Sequence, residues 1–247
     1  MPLPAQETIL IEQALTLLHE AGVWRAERMD VLVEAGRIAA VGALAPEIKA
    51  RAARVVDGRG KLLAPGLVNA HTHSPMNLCP GTLDGANHPA FMWLSQRDTA
   101  NRAPREVYIS AMLGATQMLL TGTTAVIDNF PEQGFDIEDV EAVVAAYRDS
   151  GMRAVIALRL FDEPYDDILA GRHGARFRNP LEARSLAHQR RVVEESIARW
   201  HGLDGRIQIY PAPSNPARCS DALLEMSLEL AQRHDLGIHT HLLETRV

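Results

Sequence analysis

The chain contains, at residues 65–73, the stretch Pro-Gly-Leu-Val-Asn-Ala-His-Thr-His, in which a short apolar segment runs into two histidines. In an extended strand, residues i and i+2 lie on the same face, so His71 and His73 can direct their rings at one point. Two neutral imidazoles that share a target are typical of a metal site. Chance is the alternative, because the chain has 10 histidines. The position of the pair at the end of a predicted buried strand favours the metal site, since active sites of α/β folds gather there.

The composition is that of an ordinary globular protein, with 47% hydrophobic and 23% charged residues. A formal net charge of −6 argues against nucleic acid or an anionic membrane as a partner. No apolar run is long enough to cross a bilayer, and the first residues lack the basic start and apolar core of a signal peptide. Two cysteines are too few for a disulfide framework. Together these features predict a cytoplasmic protein.

The chain divides into two regions with different patterns. Residues 1–65 read as short strands, with a hairpin predicted where Ala35-Gly36 separates residues 30–34 from residues 37–41. A second strand pair is predicted around the glycines of residues 54–63. Residues 66–247 alternate strands and helices, which predicts a parallel sheet with right-handed crossovers and favours a barrel. The predicted strands of this region are the short apolar runs 67–70, 124–128, 154–160, 207–211 and 237–242.

Four helices are predicted in the second region from start signals or from a periodic apolar face. They begin at Pro104, cover residues 140–147, begin at Asn179-Pro180 and begin after Ser220. Two connections, residues 74–103 and 161–179, are long, and the loops that follow strands in a barrel surround the active site.

A second histidine pair, His239 and His241, ends the fifth predicted strand, and Glu244 follows three residues later. If the strand ends near His241, Glu244 can fold back toward whatever His241 holds. A carboxylate beside a metal-activated water is the natural proton shuttle for hydrolysis.

These motifs resemble the amidohydrolase superfamily, specifically its cytosine deaminase-like and chlorohydrolase (ATZ/TRZ-type) branch. The resemblance covers nearly the whole chain, and its Pro-Gly-Leu-Val-Asn-x-His-x-His pattern is highly specific. It rests on the lead-in Asp30–Gly42, on residues 65–73, on Gly122-Thr123-Thr124 and on His241-Leu-Leu-Glu244. The fold that it implies is an incomplete TIM-type (β/α) barrel, with residues 66–247 forming the first five of eight β-α units. Residues 1–65 would be the N-terminal part of a small β-sandwich domain.

The resemblance implies that His71, His73 and His241 are metal ligands and that Glu244 is the proton-transferring glutamate. His239 does not match a ligand position, although the reverse assignment of His239 and His241 stays open. The implied cofactor is one divalent metal ion, zinc first and iron as the alternative. Members with two metals bridge them through a carboxylated lysine on strand four. No lysine follows Lys61 in this chain, which favours a single ion.

The implied reaction is the hydrolytic deamination of a small amino-substituted aromatic heterocycle, such as a pterin, purine, pyrimidine or triazine. The alternatives are hydrolysis of another C–N or C–Cl bond, and a non-catalytic scaffold. The unrelated zinc deaminases with His-x-Glu and Pro-Cys-x-x-Cys motifs are excluded, because neither motif occurs. Candidate substrate contacts, for each of which packing or a solvated loop is the alternative, are Trp93, Gln96, Asn129, Arg159 and Ser214. A solvated loop is favoured over an anion site for Arg172, His173, Arg176 and Arg178.

Members of the superfamily carry a further histidine after strand six and an aspartate after strand eight, and neither has a counterpart before Val247. We therefore expect the chain to be a fragment that needs the rest of the barrel, in cis or in trans, for activity. We expect a homo-oligomer when the barrel is complete.

Overall fold

The computed structural model describes residues 7–131, 135–163 and 183–244, without the side chains of Pro89 and Trp93. The chain divides between Gly66 and Leu67 into two compact units. Among the described residues, no helix is long and apolar enough to cross a membrane.

The first unit is built on one sheet, in the order β3-β2-β1-β4, with β5 also paired to β1. Its elements are β1 (Ile9–Glu20), β2 (Val23–Glu34), β3 (Arg37–Gly42), the short helix α1 (Pro46–Lys49), β4 (Arg54–Asp57) and β5 (Leu62–Leu63). The predicted hairpin around Ala35-Gly36 is confirmed, since β2 and β3 are antiparallel. Both turn residues have positive φ, 48° and 72°, as the tight hairpin turn requires.

The second predicted strand pair, in residues 54–63, is wrong. Both β4 and β5 pair in parallel with the long strand β1 and not with each other. Gly58 lies between them and donates its N–H to the carbonyl of Glu12 at 2.7 Å. A Cβ at Gly58 would lie 2.7 Å from that same oxygen, so the glycine lets the chain run close along β1 where a larger residue would push it away.

The second unit has a parallel sheet in the order β6-β7-β8-β9, with helices in the connections. Its elements are β6 (Leu67–Thr72), α2 (His88–Thr99), α3 (Pro104–Leu120), β7 (Thr123–Phe130), α4 (Ile137–Ser150), β8 (Arg153–Leu160), α5 (Leu186–Trp200), β9 (Ile207–Pro213) and α6 (Asp221–His234). Short 3-10 turns cover Ser74–Leu78, Leu203–Gly205 and Pro216–Arg218. The predicted connection 74–103 is therefore partly helical.

Apolar side chains on the helices pack against the sheet and form its core. The predicted apolar face of α4 is buried, with Val140, Val143 and Tyr147 fully excluded from water. Side chains of this size each contribute about 1.5–3 kcal/mol when buried. The same core includes Ile156 of β8 and Ile209 of β9, so the helices fix the strands whose ends carry the polar residues.

Of two predicted helix starts, one lies within the described residues and is confirmed. Ser220 caps α6 by accepting a hydrogen bond from the N–H of Leu223, as expected. The third predicted helix begins at Leu186, where Ser185 is the N-cap. The predicted start at Asn179-Pro180 lies outside the described residues.

The fifth predicted strand, residues 237–242, is not a regular strand. It follows the end of β9 through two backbone hydrogen bonds, from His239 to the Pro211 carbonyl at 3.4 Å and from His241 to the Ser214 carbonyl at 3.1 Å. Gly237 makes this approach possible, since a Cβ there would lie 2.7 Å from the ring of Tyr210. The two histidines are thereby held at the carboxyl end of β9.

Candidate metal centre

The predicted polar residues lie at the carboxyl ends of successive strands. His71 is the last residue but one of β6 and His73 follows the strand directly. Asn129 lies near the end of β7, and Ser214 follows β9 directly. In a parallel sheet these ends share one edge, which is where α/β folds bind ligands.

Three imidazoles meet at this edge. The Nε2 atom of His73 lies 3.1 Å from Nε2 of His71 and 3.2 Å from Nε2 of His241. One nitrogen from each ring falls within 4.8 Å of the other two, close enough to hold a common metal ion. His71 and His73 are close in sequence, whereas His241 lies 168 residues after His73 in the chain.

The opposite nitrogens of two of these rings are held by backbone carbonyls. Nδ1 of His73 lies 3.0 Å from the Asn129 carbonyl, and Nδ1 of His241 lies 2.9 Å from the Ser214 carbonyl. A carbonyl can only accept a hydrogen bond, so each Nδ1 carries the proton and each Nε2 keeps its lone pair. This is the arrangement in which histidine ligands are oriented for a metal, and the donor set fits a divalent ion.

The surroundings of the cluster lower the pKa of three of its rings. Burial, together with the neighbouring rings of His73, His241 and His239, lowers the pKa of His71 to about 4. Burial also lowers the pKa of His239 and of His241. Neutral imidazole is the form that binds metals, so these lowered pKa values favour the metal-binding form of the three rings.

Glu244 lies at the same site, with a side chain that is 43% exposed. Its Oε1 atom lies 3.4 Å from Nε2 of His88, the first residue of α2. Sequence reasoning missed His88. The available signal was a histidine within the first long connection, which a barrel fold brings to the active site.

A pocket connects the histidines with Glu244. Its volume, including the solvent at its open mouth, is about 310 Å³. Its lining combines polar and apolar side chains: His73, Met76, Phe91, Met92, Ser95, Arg159, His241 and Glu244. Small-molecule sites have this mixture, in which apolar walls hold a flat ligand and a few polar groups orient it.

The five candidate substrate contacts differ in their placement. Arg159 lines the pocket, and its Nε donates a hydrogen bond to Ser214 Oγ at 2.9 Å. Asn129 is fully buried, and neither polar atom of its side chain has a hydrogen-bond partner among the described residues. Gln96 was predicted to contact the substrate, but it is buried and does not line the pocket. Its sequence neighbour Ser95 lines the pocket instead. Trp93 lies in α2, but the structure does not describe its side chain. The remaining candidates, Arg172, His173, Arg176 and Arg178, lie outside the described residues.

A buried aspartate that sequence reasoning also missed fixes the backbone behind His73. Asp128 is fully buried on β7, where it accepts hydrogen bonds from the N–H of Ser74 at 2.8 Å and from the hydroxyl of Tyr147 at 2.9 Å. Burial raises the pKa of this carboxyl. An acidic residue inside an apolar strand was the available signal, because such groups are buried only with partners.

Comparison with known proteins places the chain in a family. The model of the amidohydrolase family matches residues 62–246. The chain belongs to the amidohydrolase family. Among curated amidohydrolases, the 5'-deoxyadenosine deaminase of Methanothermobacter thermautotrophicus is 33% identical over 244 residues, which cover 97% of this chain and 49% of that protein. The 5-methylthioadenosine/S-adenosylhomocysteine deaminase of Thermoanaerobacter pseudethanolicus is 30% identical over 224 residues, or 89% of this chain and 46% of that protein.

Solved amidohydrolase structures have the same fold. An adenosine deaminase from Xanthomonas campestris with bound zinc gives a TM-score of 0.73 at 29% identity, over 96% of this chain and 49% of that one. The atrazine chlorohydrolase of Arthrobacter aurescens TC1, complexed with zinc, gives 0.77 at 23% identity, over 96% of this chain and 53% of that one. The chain thus spans about half the length of these relatives, which confirms the prediction of an incomplete (β/α) barrel.

Proposed function

We propose that this chain supplies the metal-binding half of an amidohydrolase that removes an amino group from an adenine-type nucleoside by hydrolysis. The observation that carries the proposal is the convergence of the imidazoles of His71, His73 and His241, two of which, His73 and His241, line a pocket together with Glu244. The names of the curated relatives, which are deaminases of adenosine derivatives, support the substrate class.

The proposed metal ligands are His71, His73 and His241. A divalent ion held there would supply Lewis acidity and a water whose pKa is lowered to about 7. Zinc is the proposed ion and iron the alternative, because three imidazoles suit either. The zinc bound in related structures supports zinc over iron.

The side chains around the proposed metal would have different roles in the hydrolysis. The Glu244 carboxylate would take one proton from the attacking water and deliver it to the ring nitrogen. It would then carry the second proton of that water from the new hydroxyl to the amine, which leaves as ammonia when the C–N bond breaks. Met76, Phe91 and Met92 would pack against a flat heterocycle and keep other water away. Arg159, Ser214 and Asn129 remain proposed substrate contacts, and so do Trp93 and Gln96.

Three wider features belong to the same proposal. The rest of the barrel would come from further residues of the same protein or from another chain, and the complete protein would form a homo-oligomer. The cytoplasm is the proposed location. It is supported by Cys79 and Cys219, which are both free thiols in the structure.

The test is metal analysis and a deamination screen on the intact protein. We expect close to one equivalent of zinc or iron by mass spectrometry, and ammonia release from adenosine-type nucleosides. His73→Ala and His241→Ala should lose both the metal and the turnover, whereas Glu225→Gln on the exposed face of α6 should change neither. Full turnover in either histidine variant would contradict the proposal. Chloride release from a chlorinated triazine, without ammonia release from the nucleosides, would favour the chlorohydrolase alternative.

A further inference from the structure

The cluster contains a fourth imidazole that the proposed metal does not use. Nε2 of His239 lies 2.9 Å from Nδ1 of His71, the nitrogen on the far side of the ring from the shared point. The two rings are stacked, with centroids 5.1 Å apart and an angle of 26° between their planes. His239 therefore contacts the back of a ligand ring.

The protonation of this pair follows from the position of His71. Nε2 of His71 lies 3.1 Å from Nε2 of His73, at the point where the three rings meet. If that nitrogen keeps its lone pair for a metal, the proton of the neutral ring is on Nδ1. His71 then donates to His239, whose Nε2 accepts and whose own proton is on Nδ1.

In each of the three rings, Nδ1 thereby donates a hydrogen bond and Nε2 keeps its lone pair. His73 donates to the Asn129 carbonyl and His241 to the Ser214 carbonyl, both from Nδ1. For His71 the corresponding acceptor is an imidazole. We propose that His239 is a positioning residue that holds His71 in its metal-binding tautomer and orientation, and that it is not itself a ligand. This inference rests on the proposed metal site.

Two substitutions separate hydrogen bonding from packing. His239→Gln keeps an acceptor oxygen near the position of Nε2, whereas His239→Leu fills space without accepting. Removal of such a partner typically weakens metal binding by 10–100-fold. We expect His239→Leu to raise the zinc dissociation constant of the intact protein by about that factor, and His239→Gln to restore most of the affinity, in competition with a chelating dye.

The outcomes are distinguishable from those of the proposed function. Unchanged affinity in His239→Leu, or loss in both variants as complete as in His241→Ala, would overturn the positioning role, the latter by making His239 a ligand. Weakened binding in His239→Leu without any deamination by the wild type would leave the inference standing and overturn only the function. A wild type that binds no zinc at His71 would overturn both.

A second measurement needs no variant. Long-range proton–nitrogen spectra of the histidine-labelled wild type report the tautomer of each ring. We expect the proton of His71 on Nδ1, with or without zinc. A proton on Nε2 of His71 would overturn the inference even if the variants failed to fold.

Discussion

Histidine rings have two nitrogens, and at this site the backbone determines which one faces the shared point. The carbonyls of Asn129 and Ser214 hold Nδ1 of His73 and His241, so that Nε2 faces inward. The acceptors come from strand ends whose positions are fixed by the buried sheet. The orientation of the His73 and His241 rings is therefore set by the backbone of β7 and of the residue after β9. Substitution of the Asn129 or Ser214 side chain would leave this orientation in place.

Glu244 provides the sharpest prediction for a single residue. Glu244→Gln keeps the size of the side chain but cannot transfer protons, and general acid–base catalysis typically contributes 10²–10⁴-fold. We expect the turnover number of the intact protein to fall by about that factor while its metal content, measured by mass spectrometry, stays the same.

The matched control is Glu225→Gln, which makes the same chemical change on an exposed face of α6. It should leave turnover within experimental error. A Glu244→Gln protein that retains more than about a tenth of the wild-type rate would remove Glu244 from the proton-transfer role.

At the level of elements, the segment after α6 brings the third imidazole, His241, to the site without being a strand. Two backbone hydrogen bonds hold it against β9, and Gly237 lies too close to Tyr210 to carry a side chain. The position of His241 therefore depends on a close contact as well as on the sheet.

Gly237→Ala tests this contact. Its Cβ would lie 2.7 Å from the Tyr210 ring, so the segment or the ring has to move. We expect zinc affinity to fall by about tenfold or more, because displaced ligands and partners cost that much. The double variant Gly237→Ala with Tyr210→Ala removes the obstructing ring and should recover affinity. Equal affinities in wild type and Gly237→Ala would show that the contact does not position His241.

In the first unit, one carboxylate holds the irregular part of β1. The β1–β2 register shifts between Ile11 and Ala14, and the N–H of Gln13 donates to Asp30 at 3.0 Å. Lys49 lies 2.8 Å from the other oxygen of Asp30. Burial alone would raise the pKa of Asp30, but the hydrogen bonds from Lys49 and Gln13 outweigh it and lower the pKa below its ordinary value.

A lowered pKa predicts a definite pH dependence. Above about pH 4, the ordinary pKa of an aspartate, the ionised Asp30 stabilises the fold, and this contribution is lost as the pH falls through the lower folded-state pKa. Asp30→Asn keeps an oxygen for Gln13 but removes the charge. We expect it to lower the free energy of unfolding at pH 7, with the gap to wild type closing toward pH 3, in urea titrations followed by fluorescence of Trp24.

The exposed pair of Glu20 and Arg25 gives the control. Both side chains are more than half exposed, so Glu20→Gln should change stability little at either pH. A gap between wild type and Asp30→Asn that widens toward acid would show that burial, and not the partners, dominates this carboxyl.

At the scale of the whole molecule, the described sheet has an open edge. Among the described strands, β6 pairs only with β7, and its Leu67 and Val68 are 63% and 68% exposed. An unpaired apolar edge strand is a template for association with other chains. In a closed barrel the last strand would cover it.

We expect residues 1–247, produced without any further residues, to associate and to bind a hydrophobic dye, and to deaminate slowly or not at all. Light scattering, dye fluorescence and ammonia release measure the three effects. The control is the same protein with the rest of the barrel present, which should lose the dye binding. Robust deamination by the isolated 247 residues would contradict the expectation.

Sequence reasoning succeeded where the pattern was local. The runs that became β6 to β9, the start of α3 at Pro104, the N-cap of α6 and the buried face of α4 were all predicted, because period and helix-start signals act over a few residues. It failed for β4 and β5, because both pair with β1, a strand about 45 residues earlier in the chain. It missed Asp128 and His88 because each has meaning only beside residues distant in the chain.

The sequence by itself determined the family, the parallel sheet and the residue types of the proposed metal site, because the two His-x-His motifs and the glutamate can be recognised without a structure. Only the tertiary structure decided that His241 faces His71 and His73 while His239 stands behind His71. The reason is physical: residues i and i+2 of an extended segment share a face, so spacing cannot tell the two histidines apart. The carbonyls that select the inward nitrogen come from β7 and the end of β9, and folding alone brings them there.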